Sequence, residues 1–384
     1  MFYLCSLKYA KLMGMRTVTN KIKTNGRGAQ SASLSTRFGL ATREADGDWR
    51  DYVEQLDGPA PKLRTCVTEE NPRTILSFNK SPDIPFDRSI NAYRGCEHGC
   101  VYCFARPTHA YHDLSPGLDF ETQLWAKPNA AQILRETLAK PKYRPAPIAM
   151  GTNTDPYQPI ERRYRITRQV LEVCLDARHP VTITTKSDRV VDDIEILAEM
   201  ARHRLVAVAV SVTSLDPKLS GKLEPRAASP EKRMAALNKL TDAGVPTHCS
   251  VSPIIPAITD EYMEEIIARA GAMGVNSAGW IPLRLPHEVA PLFREWLEVH
   301  YPERAGKVMS IVQSIRSGRD NDPSFFSRMK PTGVWADLFR SRFNLACKRA
   351  GIRGANSATN MRARFTLDCS QFRRPETSRQ LRLL

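Results

Sequence analysis

Three cysteines fall within eight residues, Cys96, Cys100 and Cys103, in the segment NAYRGCEHGCVYCF from Asn91 to Phe104. The C-x3-C-x2-C spacing puts three thiolates on one short loop, and thiolates are the ligands of iron in cubane clusters. Three cysteine ligands on a four-iron cluster leave one iron open, able to chelate the amino and carboxylate groups of a small molecule. Gly95 and Gly99 let the loop turn tightly around an inorganic core, and Tyr102, just before the last cysteine, supplies an aromatic wall. The same cysteines could instead hold structural zinc, with His98, His109 or His112 as fourth ligand.

Such a loop needs a scaffold, and the chain supplies one from about residue 88 onward. Short apolar, β-branched segments at 88–94, 147–152, 180–186, 205–212, 245–252 and 275–283 read as strands. Amphipathic stretches near 128–139, 164–178, 190–202, 229–243 and 260–273 separate them. In the fourth of these, Ser229 is placed to N-cap, Pro230 takes the first helical position and Gly244 ends the helix. The unbroken run LVAVAVSV suits a strand buried on both faces. Strands alternating with helices predict a parallel α/β architecture, a doubly wound sheet or a partial barrel. With the cysteine loop following the first strand, the expectation is a partial (β/α)6 TIM-like barrel. Its chemistry would sit at the C-terminal ends of the strands. The expected organisation is a flexible basic extension over 1–85, the barrel over 86–285, and a helical extension with a basic tail over 286–384.

The cysteine segment resembles the signature of the radical S-adenosylmethionine (SAM) superfamily, in which an aromatic residue precedes the third cysteine. Within it the chain is similar to the spore photoproduct lyase-like branch, over roughly 88–285. The resemblance implies a [4Fe–4S] cluster on Cys96, Cys100 and Cys103, fed by an electron donor such as flavodoxin or ferredoxin. It implies reductive cleavage of SAM to methionine and a 5′-deoxyadenosyl radical that takes hydrogen from a substrate. It also places a SAM site at successive strand ends. Thr154 and Asp155, in GTNTDPYQPIE after the second strand, would accept from the SAM ammonium, and Lys186 would pair with its carboxylate. Ser211 ends the fourth strand at a position touching SAM, and the segment 250–256, with Ser252, would pack on adenine. Spore photoproduct lyases use a hydrogen-donating cysteine near the end of the second strand. Thr152 takes that place here, which argues against photoproduct repair. The substrate is left open, with nucleic acid, peptide and small molecule all admitted.

The remaining features bound the class. The chain has 384 residues, 42% apolar, enough for a sizeable core, and no run approaches the ~18 apolar residues of a membrane span. Six further cysteines, at 5, 66, 174, 249, 347 and 369, are scattered, which fits free thiols in a reducing compartment rather than a disulfide scaffold. The net charge of +15 belongs to the ends: residues 1–43 hold eight Lys/Arg and no acid, and residues 340–384 hold eleven against two acids. Basic ends suit contact with nucleic acid or another polyanion, or serve only as solvated tails. The first 43 residues also resemble a transit peptide, with Met13 and Met15 as alternative starts. The expectation is an untargeted, cytoplasmic protein. Trp280, Phe325, Phe326 and Trp335 read as core, with base stacking beside arginines as the other reading. From a different class comes the alternative of a zinc-stabilised nucleic-acid-binding protein without catalysis.

Overall fold

The computed structural model describes residues 26–35, 37, 64–355 and 366–376. In chain order the strands are β1 (Cys66–Glu69), β2 (Leu76–Phe78), β3 (Arg88–Ile90), β4 (Tyr93–Arg94), β5 (Gln123–Ala126), β6 (Ile148–Met150), β7 (Val181–Thr185), β8 (Val206–Ser211), β9 (Thr247–Ile254), β10 (Ser277–Pro282) and β11 (Arg353–Ala355). The main sheet runs β11-β10-β9-β8-β7-β6-β3-β2. Every neighbouring pair from β3 to β11 is parallel, and β2 lies antiparallel on the β3 edge. The fold is thus α/β with an open, mostly parallel sheet, the partial barrel expected.

The helices that return the chain between the parallel strands are α1 (Ala130–Ala139), α2 (Ile166–Asp176), α3 (Ile194–Arg202), α4 (Pro230–Asp242) and α5 (Met263–Ala272). Each buries one apolar stripe, as Ile196, Leu197 and Met200 do on α3. Strand β8, the run VAVAVS at the centre of the sheet, is buried on both faces. Helix α4 starts at Pro230 as read, although the Ser229 side chain makes no capping bond, and Gly244 follows it with φ of 75°. Beyond β10 come α6 (Val289–His300), α7 (Pro302–Ser314) and α8 (Val334–Arg349). Helix α8 covers the outer face of β10, where Trp280 meets Phe339 and Phe343 at ring-centroid distances of 6.2 and 6.4 Å. No helix among the described residues is long and apolar enough to cross a membrane.

Three features differ from the reading of the sequence. The segment 88–94 is not one strand. Asn91 turns the chain out of the main sheet, its side chain bonding Thr152 Oγ1 (3.1 Å) and the Asn153 N–H (2.9 Å). Tyr93 and Arg94 then pair antiparallel with β5, in a small sheet of order β1-β5-β4. Second, residues 64–78 carry β1 and β2, and Gly28, Ala29 and Ser31 are buried, so these parts of the 1–85 extension are packed. Third, β11 adds a further parallel strand from within the C-terminal extension; its three residues, Arg-Gly-Ala, carry no apolar pattern.

The C-terminal segment 366–376 lies across the N-terminal ends of the strands. Asp368 N–H donates to the Arg204 carbonyl (2.9 Å) ahead of β8, and Arg373 N–H to the Ala177 carbonyl (2.8 Å) ahead of β7. The basic residues of 1–25 and 377–384 lie outside the described residues.

Candidate active site

The cysteine loop leaves β4 and is shaped from beneath by a buried ion pair. Arg106 is fully buried and donates to the carbonyls of Cys100 (2.9 Å), Gly99 (3.2 Å), Pro116 (3.0 Å) and Gly117 (2.8 Å). Its remaining charge meets Glu121 at 2.5 Å. Glu121 in turn accepts from the backbone N–H of Gly28 (3.0 Å) and Ala29 (2.8 Å), while Arg27 donates to the Glu121 carbonyl (2.8 Å). A Cβ on Gly28 would stand 1.6 Å from the Gly99 carbonyl oxygen, so only glycine lets this segment press on the loop. Gly95 and Gly99 have φ of 71° and 66°, the left-handed turns that a wrapping loop requires. Arg106, Glu121 and the 27–29 segment escaped sequence reasoning. Their contacts span up to 94 residues and follow no periodicity.

Cys96 and Cys100 are buried and Cys103 is half-buried; all three are free. Burial, then Asp155 and the neighbouring thiols, push the Cys96 thiol well above its ordinary value, and burial with Glu224 raises Cys100. Such thiols need a cationic group to become thiolates. Among the described residues no three His, Cys, Asp or Glu side chains converge as ligands of a single ion. The histidines weighed as zinc ligands are otherwise engaged. His98 Nδ1 lies 3.3 Å from Asp155, His109 Nε2 lies 2.9 Å from the Gln123 carbonyl, and His112 lies 3.3 Å from Arg94. The zinc-stabilised alternative therefore finds no support.

Thr154 and Asp155 reach the site, but as braces. Thr154 Oγ1 donates to the Gly95 carbonyl (2.6 Å) and accepts from Gln158 (2.9 Å). Asp155 accepts from Thr185 Oγ1 (2.7 Å) and the N–H groups of Lys186 (2.7 Å) and Tyr157 (2.9 Å), besides facing His98. A carboxylate offers about four acceptor sites, and contacts within the protein take up most of those of Asp155. Burial alone would raise its carboxyl; His98, Thr185 and the Lys186 N–H outweigh it and hold the carboxyl down at about 2.

At the ends of β7, β8 and β9 a second buried network converges. Tyr102 OH donates to Glu224, which pairs with Arg233 and accepts from Thr213 Oγ1 (2.8 Å). Arg233 also donates to the Ser211 carbonyl (3.1 Å), fixing the end of β8. Lys186 Nζ stands 5.8 Å from the Tyr102 ring centroid. Burial works against its charge, but Cys100 and Glu224 outweigh this and raise its pKa. Among the described residues no carboxylate lies within ion-pair distance of that ammonium. Among the described residues, Ser252 Oγ is buried without a hydrogen-bond partner. Cys96, Cys100, Cys103, Tyr102, Lys186, Ser211 and Ser252 thus share the C-terminal edge of the sheet. The cation and the orphaned hydroxyl there are groups a polar ligand would satisfy.

The aromatic residues divide. Trp280 is buried as expected, whereas Phe325, Phe326 and Trp335 are 53%, 49% and 38% exposed, correcting the core reading. Phe325 and Phe326 sit on the loop between α7 and α8, held outward by a charged pair, Arg328 and Asp83.

A model of the Radical SAM superfamily matches residues 90–270. An uncharacterised protein of Mycobacterium tuberculosis is 39% identical over 257 residues, spanning 65% of this chain and 74% of that protein. An uncharacterised protein of Methanocaldococcus jannaschii is 29% identical over 215 residues, 56% of this chain and 76% of its own. A spore photoproduct lyase variant solved with bound AdoMet and dinucleoside spore photoproduct matches with a TM-score of 0.52 at 14% identity, covering 75% of this chain and 81% of that one. At that identity the likeness establishes the fold. With its cysteine loop at the C-terminal edge of a partial barrel, and a relative this similar along most of its length, the chain belongs to the radical SAM superfamily, enzymes that cleave SAM by radical chemistry with an iron–sulfur cluster and an electron donor.

Proposed function

We propose that Cys96, Cys100 and Cys103 hold a [4Fe–4S] cluster whose open iron binds SAM, and that the enzyme abstracts hydrogen from a substrate other than the spore photoproduct. When bound, the cluster supplies the electron that breaks the S–C5′ bond of SAM. The observation that carries the reading is the half-buried Lys186 ammonium beside the cysteine loop on the C-terminal edge, which has no carboxylate within ion-pair distance among the described residues. Lys186 neutralises the SAM carboxylate, and Tyr102, locked by Glu224, walls the methionine end. Ser211 and Ser252 line the far side, where the Ser252 hydroxyl finds in SAM the partner it lacks among the described residues. Thr154 and Asp155 act one layer out, tying the loop after β6 to Gly95 and Lys186. Arg106, Glu121 and the 27–29 segment exclude water beneath the loop.

Thr152 Oγ1 is engaged with Asn91, and no thiol occupies its place, so the radical on a substrate has no cysteine donor there. A flavodoxin or ferredoxin serves as electron donor, and the basic N-terminal end, which enters the described structure at the cysteine loop, favours a polyanionic partner. Anaerobic reconstitution tests the ligand set. Wild-type protein should carry iron and acid-labile sulfide, and Cys96→Ala, Cys100→Ala or Cys103→Ala should carry neither. Zinc in place of iron, or a full cluster in any of the three variants, would overturn the reading.

A further inference from the structure

Arginines crowd one part of the same edge with too few acids to match. Arg284 lies two residues past the end of β10, and its guanidinium stands 5.9 Å from the ring centroid of Phe104, the residue after Cys103. Arg316 is 3% exposed and donates to the carbonyls of Leu283 (3.1 Å) and Arg328 (2.9 Å). Arg328 takes up Asp83 through bonds of 2.6 and 2.5 Å, and Asp83 also receives the Phe326 N–H at 3.0 Å. Asp322 reaches Arg316 only at longer range. Among the described residues no carboxylate lies within ion-pair distance of Arg284 or Arg316. The Nε of each is buried with no hydrogen-bond partner among the described residues. The hydrogen bond Arg284 does make, Nη1 to the Met329 sulfur at 3.5 Å, uses a weak acceptor. Burial and the neighbouring Arg328 depress the Arg284 guanidinium, and burial with Arg284 holds Arg316 at about 10. Cations gathered out of water without a counter-charge are costly unless an anion joins them.

We propose that Arg284 and Arg316 form a binding site for a phosphate group of the substrate, at the sheet edge that carries the cysteine loop. Calling the ligand the substrate rests on the proposed SAM chemistry; the site itself does not. The single carboxylate of SAM is matched to Lys186 just past the end of β7, three strands away from β10. Paired guanidinium forks suit the several oxygens and the double charge of phosphate better than a lone carboxylate. The surroundings add flat apolar surface. Phe104 and Phe325 are each 53% exposed, and the Arg328 guanidinium lies 4.9 Å from the Phe325 ring centroid. Phe326 holds φ of 66°, a strained conformation for a bulky residue, kept by the bond to Asp83. A phosphate next to exposed rings is the chemistry of a nucleotide unit, whether free or within a strand.

Calorimetric titration of the full-length, cluster-reconstituted protein tests this with inorganic phosphate, a nucleoside monophosphate, a short single-stranded oligonucleotide and succinate. The phosphate compounds should bind more tightly than succinate, and Arg284→Gln should weaken them by about tenfold or more. Tighter binding of the oligonucleotide than of the monophosphate assigns the site to a strand, and the reverse order to a free nucleotide. Wild-type protein gives a readout that needs no variant: phosphate should slow phenylglyoxal modification of Arg284, followed by mass spectrometry. The proposal is overturned if no phosphate compound binds in the millimolar range, or if succinate binds equally well. It is also overturned if a folded Arg284→Gln protein binds as wild type does, or if phosphate leaves the modification rate unchanged. Binding is read without SAM or reductant, so loss of SAM cleavage alone would not count against the site.

Discussion

Replacing Arg106 by Met should destabilise the protein and empty its cysteine loop together. The guanidinium serves four backbone carbonyls and the Glu121 carboxylate, all in a fully buried setting. Met keeps much of the volume but leaves Glu121 as a buried charge with no cation in contact. Removing one partner of a buried pair costs about 3–5 kcal/mol, and the orphaned carbonyls add to it. Denaturant unfolding of cluster-free protein should therefore show a loss of at least about 3 kcal/mol, with iron incorporation well below wild type. Adding Glu121→Leu should recover part of the loss, because the double variant has no stranded charge. A single Arg106→Met variant within about 1 kcal/mol of wild type, with full iron content, would refute the claim that this pair shapes the loop.

Lys186→Ala should leave the cluster in place and weaken SAM binding by about 1.5–3 kcal/mol, the worth of one charge-assisted contact, as read by calorimetry. Asp155→Asn should cost about 2 kcal/mol of stability at neutral pH, since the folded carboxyl titrates near 2 against an ordinary 3.8. That contribution is present above the ordinary value and is lost as pH falls toward 2, so the variant should show a flatter acid limb in unfolding measured against pH. If the basic ends track phosphates, affinity for generic DNA or RNA should fall with salt by about 0.7–0.9 log units per log unit for each phosphate neutralised. Deleting residues 1–25 should flatten that slope in a gel-shift titration, whereas a solvated tail predicts no change.

The six core strands were legible because parallel strands buried on both faces are written as short β-branched runs, VAVAVS most plainly. The cysteine loop was legible because chemistry restricts residue type and spacing, whereas Lys186 was singled out only through the family resemblance. What escaped were contacts that leave no local pattern. Strand β11 is three residues without apolar periodicity, placed by the packing of α8 against β10. The turn at Asn91 depends on Thr152 and Asn153, some sixty residues away. Asp155 reads as a free acceptor until the fold delivers Thr185, Lys186 and His98 to it. Phe325 and Phe326 read as core by composition, and only the Asp83–Arg328 pair shows why they face solvent.

Anaerobic incubation of the reconstituted protein with SAM and a low-potential reductant, with 5′-deoxyadenosine quantified by chromatography, tests the central claim most directly. The account predicts formation of 5′-deoxyadenosine and methionine in equal amounts, abolished in Cys100→Ala. A wild-type protein with a full iron–sulfur complement that releases no 5′-deoxyadenosine, or a Cys100→Ala protein that releases it at the wild-type rate, would contradict it.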